Sequence, residues 1–192
     1  MHRLVFATNN AHKLQEVSAK IKGQIAVLSL DDIGCDEDIA ETGSTFRENA
    51  SIKSHYIFKK YHVDCFGDDS GLEIDALNGE PGIYSARYAG KHGDHEANIS
   101  KVLLQLQGET NRAARFRTVI SLLWNGIEHF FEGTVEGTIR PERSGSEGFG
   151  YDPIFQPDGY SVTFAEMSLD EKNAISHRAI AVEKLLEFLN KQ

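Results

Sequence analysis

Apolar residues open the chain as a short continuous run, Arg3-Leu4-Val5-Phe6-Ala7-Thr8, which reads as a buried strand closed by Asn9-Asn10. Leu14, Val17 and Ile21 then recur at helical spacing, predicting a helix from Lys13 to Lys22. The polar segment Thr8-Asn9-Asn10-Ala11-His12-Lys13 therefore falls at a strand-to-helix turn. Backbone N–H groups lack intrahelical partners at such a turn and favour anions.

Thr45 and Glu48 form a capping-box pattern that opens a second helix, running to about Tyr61. Its candidate buried positions are Phe46, Ala50, Ile57 and Tyr61, and Asn49 and Lys53 share one face. Val63 to Phe66 is expected as a short strand that delivers Asp68-Asp69 at its end, with a further strand from Leu72 to Leu77. After a loop at Pro81 to Tyr88, a helix from His95 to about Gln107 would bury Ile99, Val102, Leu103 and Leu106. Arg115 to Trp124 and Ile127 to Arg140 flank Asn125-Gly126, the dipeptide of a tight hairpin. Phe149 to Phe155 leads through Pro157-Asp158-Gly159 to a last helix from Ser176 to Leu189, with Ile180, Val182, Leu185, Leu186 and Leu189 inward. Helices and strands alternate and a long hairpin follows, so the pattern predicts one α/β folding unit around a twisted central sheet.

Composition narrows the function classes. The 192 residues are 40% hydrophobic and 26% charged, ordinary for a globular enzyme, and no apolar run approaches the roughly 20 residues of a membrane span. Met1 to Ala7 turns polar too early for a signal peptide and reads as the first strand. Two cysteines, Cys35 and Cys65, lack metal-ligand spacing and favour a reducing, cytoplasmic setting. A net charge of −9 argues against a nucleic-acid polymer as partner. A small phosphorylated ligand stays open, held by local cations and a divalent metal that itself needs carboxylates. Six acids and no base between Asp31 and Glu41 read mainly as a solvated loop.

Candidate chemistry is carried by four short segments. Asp68-Asp69-Ser70-Gly71 suits a turn, since all three residue types are turn formers. It also suits a metal site, because paired carboxylates at a strand end can hold Mg²⁺ and take a proton from an attacking water. Ser70 and Gly71 after Asp69 weaken an aspartyl-nucleophile reading. Lys13 and Lys53 would be ordinary surface lysines singly, but one closes the Thr-Asn-Asn turn and the other follows Glu41 and Asn49. Gly148-Phe149-Gly150 is a bend, or a place where backbone approaches a ligand while Phe149 offers a face for a base. Ser176-His177-Arg178 is a serine-capped helix start, or a set of donors for the carbonyl edge of a 6-oxo purine. His12, His62 and His129 read singly as surface residues, and no histidine pair has zinc spacing.

In this order the segments resemble the inosine/xanthosine triphosphate pyrophosphatase family over essentially the whole chain. The strongest stretches are Asp68-Asp69-Ser70-Gly71-Leu72, Pro81 to Tyr88, Gly148 to Phe155 and Ile175-Ser176-His177-Arg178. The resemblance implies an elongated two-lobed α/β fold with a long twisted mixed central sheet flanked by helices, an active-site cleft between the lobes, and a homodimer. It implies Mg²⁺ on Glu41 and Asp69, with Asp69 as proton acceptor. Thr8, Asn9, Asn10, Ala11, His12, Lys13, Lys53 and Ser70 would meet the phosphates. Phe149, Gly150, Tyr151, Asp152, Lys172, His177 and Arg178 would meet the purine and sugar. The implied reaction converts ITP, dITP or XTP to the monophosphate and pyrophosphate, cleansing the nucleotide pool. Ala40 stands where relatives often carry an acid, and Glu147 where they commonly carry glycine. A pyrophosphatase for modified pyrimidine nucleotides is the neighbouring reading, and the His177-Arg178 pair and the Phe149 loop argue against it. A nucleotide sensor without catalysis would leave the combination of Asp69, Lys13 and Lys53 without a purpose.

Overall fold

Strand β1 (Arg3–Phe6) leads through the polar turn into helix α1 (Ala11–Ile21) of the computed structural model, which describes residues 3–21, 23 and 25–192. Met1 and His2, part of the expected first strand, and Lys22, the expected helix end, lie outside the described residues. The helix begins two positions before Lys13 because Asn10 caps it, its Oδ1 accepting from Lys13 N at 3.1 Å. Val17 and Ile21 are buried as the spacing predicts.

After β2 (Ala26–Leu28) comes helix α2 (Phe46–Tyr61), capped by Thr45, whose Oγ1 accepts from Glu48 N at 3.1 Å. The capping box is only half formed, since the Glu48 carboxylate accepts from the N–H and hydroxyl of Ser44. Tyr61, expected inside, is half-buried, while Asn49, Lys53 and Ser54 are buried instead.

The largest correction concerns the acids. The two strands expected on either side of Asp68-Asp69 are one ten-residue strand, β3 (Cys65–Ile74), which runs straight through the turn formers. Turn propensity yields here because both acids are buried and partnered, and an extended backbone is what brings them to those partners. The expected loop at Pro81 to Tyr88 contains a 3₁₀ helix, Gly82–Arg87.

Helix α3 (His95–Gln105), capped by Asp94, buries Ile99 and Val102, with Leu106 just past its end. Strands β4 (Ala113–Trp124) and β5 (Ile127–Ile139) form the anticipated hairpin. Asn125 and Gly126 have φ of 50° and 78°, the left-handed pair that matches strand twist. After β6 (Phe155–Pro157), the expected last helix is α5 (His177–Leu189), and a helix that the pattern did not predict, α4 (Leu169–Ile175), precedes it. Ser176, expected at the start of this last helix, stands immediately before it and also closes α4 by donating its N–H to Lys172 O at 2.8 Å. Along α5, Val182, Leu185, Leu186 and Leu189 are buried as expected, whereas Ile180 is half-buried.

The fold is α/β with a mixed sheet. Among the described residues six strands lie in the order β2-β1-β3-β4-β5-β6, with β1 parallel to β2 and β3 and β6 antiparallel to β5. The chain divides into two compact units, and the division falls inside β3, β4 and β5. The first unit, residues 1–69, 118–133 and 178–192, has a core of Leu4, Phe6, Val17, Phe66, Ile120 and Leu185 and a smaller cluster around Val5, Ile57 and Leu123. The second unit, residues 70–117 and 134–177, packs Leu72, Ile99, Phe116, Ile139, Phe155 and Phe164.

Candidate active site

Successive residues on a strand point to opposite faces, so Asp68 and Asp69 meet different neighbours. Asp68 is buried, and each oxygen takes a cation: Oδ1 accepts from Lys13 Nζ at 2.9 Å and Oδ2 from Arg178 Nε at 3.2 Å. Arg178 also donates from Nη1 to Glu16 Oε2, forming a buried cluster of two acids on one guanidinium. Burial alone would raise the Asp68 carboxyl, but Lys13, Arg178 and Lys53 hold it well below the usual carboxylate range. Asp68 is a fixed anion.

Asp69 is the opposite case. Burial raises its proton affinity, Lys53 and Lys13 pull against that, Glu41 adds to it, and the balance stays raised. Its Oδ2 accepts from Asn49 Nδ2 at 2.9 Å. Adjacent carboxylates driven apart in this way are the arrangement by which sites separate a structural anion from a proton acceptor.

Helix α2 supplies the remaining groups of this first unit. Lys53 is buried and donates to Glu41 Oε1, which ties this member of the acidic run to the buried acids of β3. Burial tends to lower the Lys53 ammonium, yet Asp68, Glu41 and Asp69 raise it overall, and it stays charged. The helix reaches the strand because Gly67 has no side chain: a Cβ there would lie 2.7 Å from Ala50 O and 2.9 Å from Lys53 Cβ. Gly67→Ala must push α2 away, and we expect it to lower unfolding stability by roughly 1–3 kcal/mol. Urea unfolding with an unchanged midpoint would show that the approach is not tight.

The Thr8 to Lys13 turn is shaped by its own side chains. Thr8 Oγ1 accepts from Asn10 N at 3.1 Å, and Asn10 in turn caps α1. Asn9, Ala11 and His12 are exposed, and Lys13 leans in to Asp68.

In the second unit, Ser70 follows Asp69 on β3 and is half-buried. Asp152, only 2% exposed, organises the Phe149 loop: Oδ2 accepts from Phe149 N at 2.9 Å and from Lys172 Nζ. Gly148 permits this closure, since at φ 72° its Cβ would meet Asp152 Oδ2 at 2.1 Å. The Lys172 ammonium lies 5.1 Å from the centroid of the half-buried Phe149 ring. Gly150 is half-buried, whereas the Tyr151 side chain belongs to the core, its hydroxyl donating to Ser85 O at 2.9 Å. His177 is buried with its ring stacked on Phe116, centroids 4.7 Å apart and planes 10° off parallel.

The first unit thus gathers Lys13, Glu41, Lys53, Asp68, Asp69 and Arg178, and the second gathers Phe149, Asp152, Lys172 and His177. Glu16 and Asn49 join the first set without having been assigned chemistry from the sequence. The available signal for Glu16 was an acid beside Val17 on the inward side of α1.

Buried acids of unlike proton affinity beside lysines thus mark the first unit of this α/β protein, and an aromatic loop with a lysine and a stacked histidine marks the second. The chain belongs to the Ham1 family, whose family model matches residues 4–188. It is 52% identical to a dITP/XTP pyrophosphatase of Christiangramia forsetii, over 98% of this chain and 100% of the relative. It is 50% identical to the enzyme of the same name from Porphyromonas gingivalis, over 98% of each chain. Among solved structures, the Ham1 protein of Coxiella burnetii superposes with a TM-score of 0.91 at 40% identity over 100% of both chains. The Ham1 protein of Staphylococcus aureus does so with 0.89 at 44% identity over 98% of both. The family and α/β fold implied by the motifs are borne out.

Proposed function

We propose that the protein hydrolyses non-standard purine nucleoside triphosphates (ITP, dITP, XTP) to the nucleoside monophosphate and pyrophosphate. The observation that carries this is the contrast at Asp68-Asp69, one carboxylate fixed as an anion by two cations and its neighbour raised toward proton uptake. The relatives named dITP/XTP pyrophosphatase support the substrate class.

In this reading Asp69 takes a proton from water as its oxygen attacks the α-phosphorus, and the bond from that phosphorus to the α,β-bridging oxygen breaks. Lys13 and Lys53 bring positive charge to the phosphates. The α1 N-terminus, with Thr8, Asn9, Asn10, Ala11 and His12, and the side chain of Ser70 supply donors. Phe149 stacks on the base, Gly150, Tyr151 and Asp152 shape the loop beside it, and Lys172, His177 and Arg178 donate to the purine and sugar. A donor aimed at O6 of hypoxanthine or xanthine would oppose the N6 amino group of adenine, a mismatch that such a site can reject by roughly 10⁴-fold.

Mg²⁺ is the proposed cofactor. Among the described residues no three His, Cys, Asp or Glu side chains form a metal cage. Mg²⁺ bound with a nucleotide needs only one or two carboxylates besides phosphate and water, and the hard oxygen donors of Asp69 and Glu41 fit that demand. Glu41 raises the proton affinity of Asp69, so the two carboxylates feel each other's charge, as ligands of one cation would. When bound, the ion would offset charge on the phosphates and on departing pyrophosphate. The same reading includes a homodimer and a cytoplasmic setting. No helix among the described residues is long and apolar enough to cross a membrane, and Cys35 and Cys65 are free thiols.

Phosphorus NMR with Mg²⁺ and parallel inosine, xanthosine, guanosine and adenosine triphosphates tests the proposal. Pyrophosphate should appear fastest from the first two. Orthophosphate as the product, or equal rates on all four, would overturn it.

A further inference from the structure

Asn49 is fully buried on α2, and its amide is used from both ends. Oδ1 accepts from Gly43 N at 2.8 Å, and Nδ2 donates to Asp69 Oδ2 at 2.9 Å. Gly43 can only donate, which fixes the amide orientation and turns the NH₂ toward the carboxylate. Glu41 lies two residues before Gly43, and Lys53, one turn beyond Asn49 on the same face, donates to Glu41. One face of α2 therefore fastens both acids of the proposed cation site: Asp69 through Asn49, and Glu41 through Lys53 and the backbone at Gly43. The fit is close. A Cβ on Gly43 would lie 2.6 Å from Glu48 Cβ and 2.8 Å from Asn49 Oδ1.

The structure assigns to Asn49 the part of a positioning residue: it holds the Asp69 carboxylate and the Glu41–Gly43 segment in one fixed relation, so that both acids are oriented before the nucleotide arrives. This rests on the reading of Asp69 and Glu41 as the reacting and metal-holding acids. Only an amide of this length serves, because the position needs an acceptor and a donor on one side chain. Aspartate matches the volume and keeps the acceptor for Gly43, but sets an acceptor against Asp69. Leucine matches the volume and offers neither.

Asn49→Asp should therefore lower kcat for inosine triphosphate at saturating Mg²⁺ roughly 10- to 100-fold, the usual cost of losing a group that orients a reacting ligand. KM should stay within about threefold, since the lysines and the base-contacting residues are untouched. A kcat equal to wild type, or a loss confined to KM, would overturn the assignment. A readout independent of turnover and of metal is the side-chain NH₂ signal of Asn49 in ¹⁵N NMR. Replacing Asp69 by alanine should shift it and hasten its hydrogen exchange, and an unmoved signal would overturn the assignment even if Asn49→Asp does not fold. Asp69→Asn in the same kinetic assay separates the two readings. Wild-type turnover there removes Asp69 from the chemistry and the Asn49 role with it, whereas loss there with wild-type kcat in Asn49→Asp overturns the Asn49 assignment alone.

Discussion

Asp69→Asn lowers turnover of inosine triphosphate by roughly 10²–10⁴-fold, the range that a positioned general base contributes, while the protein stays folded. The substitution is nearly isosteric, and the amide oxygen still accepts from Asn49. What disappears is the proton affinity that burial confers on Asp69. The sign of the stability effect follows from the same shift. A carboxyl whose folded pKa is raised costs stability once the pH exceeds the folded value, because folding then holds a charge that water would solvate better. Removing it leaves unfolding stability at neutral pH equal to wild type or greater. Activity and stability thus part company, and a pyrophosphate-release assay beside urea unfolding reads both. Turnover within about threefold of wild type would exclude Asp69 as the base. A large loss of stability would instead make the lost activity a folding effect.

Where local rules act alone, the sequence was readable. The spacing of Leu14, Val17 and Ile21 found α1, and Asn125-Gly126 found the hairpin, because a helical period and a left-handed turn are set by neighbours. Asn49 and Lys53 were placed on one face for the same reason. The failures occur where partners far along the chain decide. Asp68-Asp69-Ser70-Gly71 has the composition of a turn, and it is a strand because Lys13 and Arg178, the latter 110 residues away, satisfy Asp68. Helix α4 was invisible because its buried residues are Lys172 and Asn173, which leaves no apolar period to detect. The partners of Arg178 were equally hidden, since nothing beside His177 announces that Glu16 and Asp68 meet on its guanidinium. Nothing local to Gly67 announces that α2 passes against it.

Asp68→Ala has the larger structural effect, and its mechanism is electrostatic. Removing one partner of a buried ion pair leaves charge uncompensated, a loss of about 3–5 kcal/mol. Here both Lys13 and Arg178 lose their shared anion, although Glu16 still holds Arg178. The pH dependence has a definite sign. Asp68 has a folded pKa depressed below its unfolded value, so its stabilisation is fully present above the unfolded value and fades as pH falls through the folded one. The stability gap separating wild type from Asp68→Ala should be flat from neutral pH to about pH 5 and shrink below about pH 4, near the unfolded carboxylate value. Urea unfolding at pH 7, 5 and 3 measures this, and a gap that persists undiminished at pH 3 would mean that packing rather than charge carries the effect. Turnover falls too, by a different route from Asp69→Asn. Lys13 without Asp68 keeps its burial and loses its strongest counter-charge, so its proton affinity falls further and its ammonium is no longer held in place as a phosphate partner. The adjacent acids then give opposite signatures: one variant stable and inactive, the other unstable, with a KM for nucleotide that rises as Lys13 loses the anion that holds it.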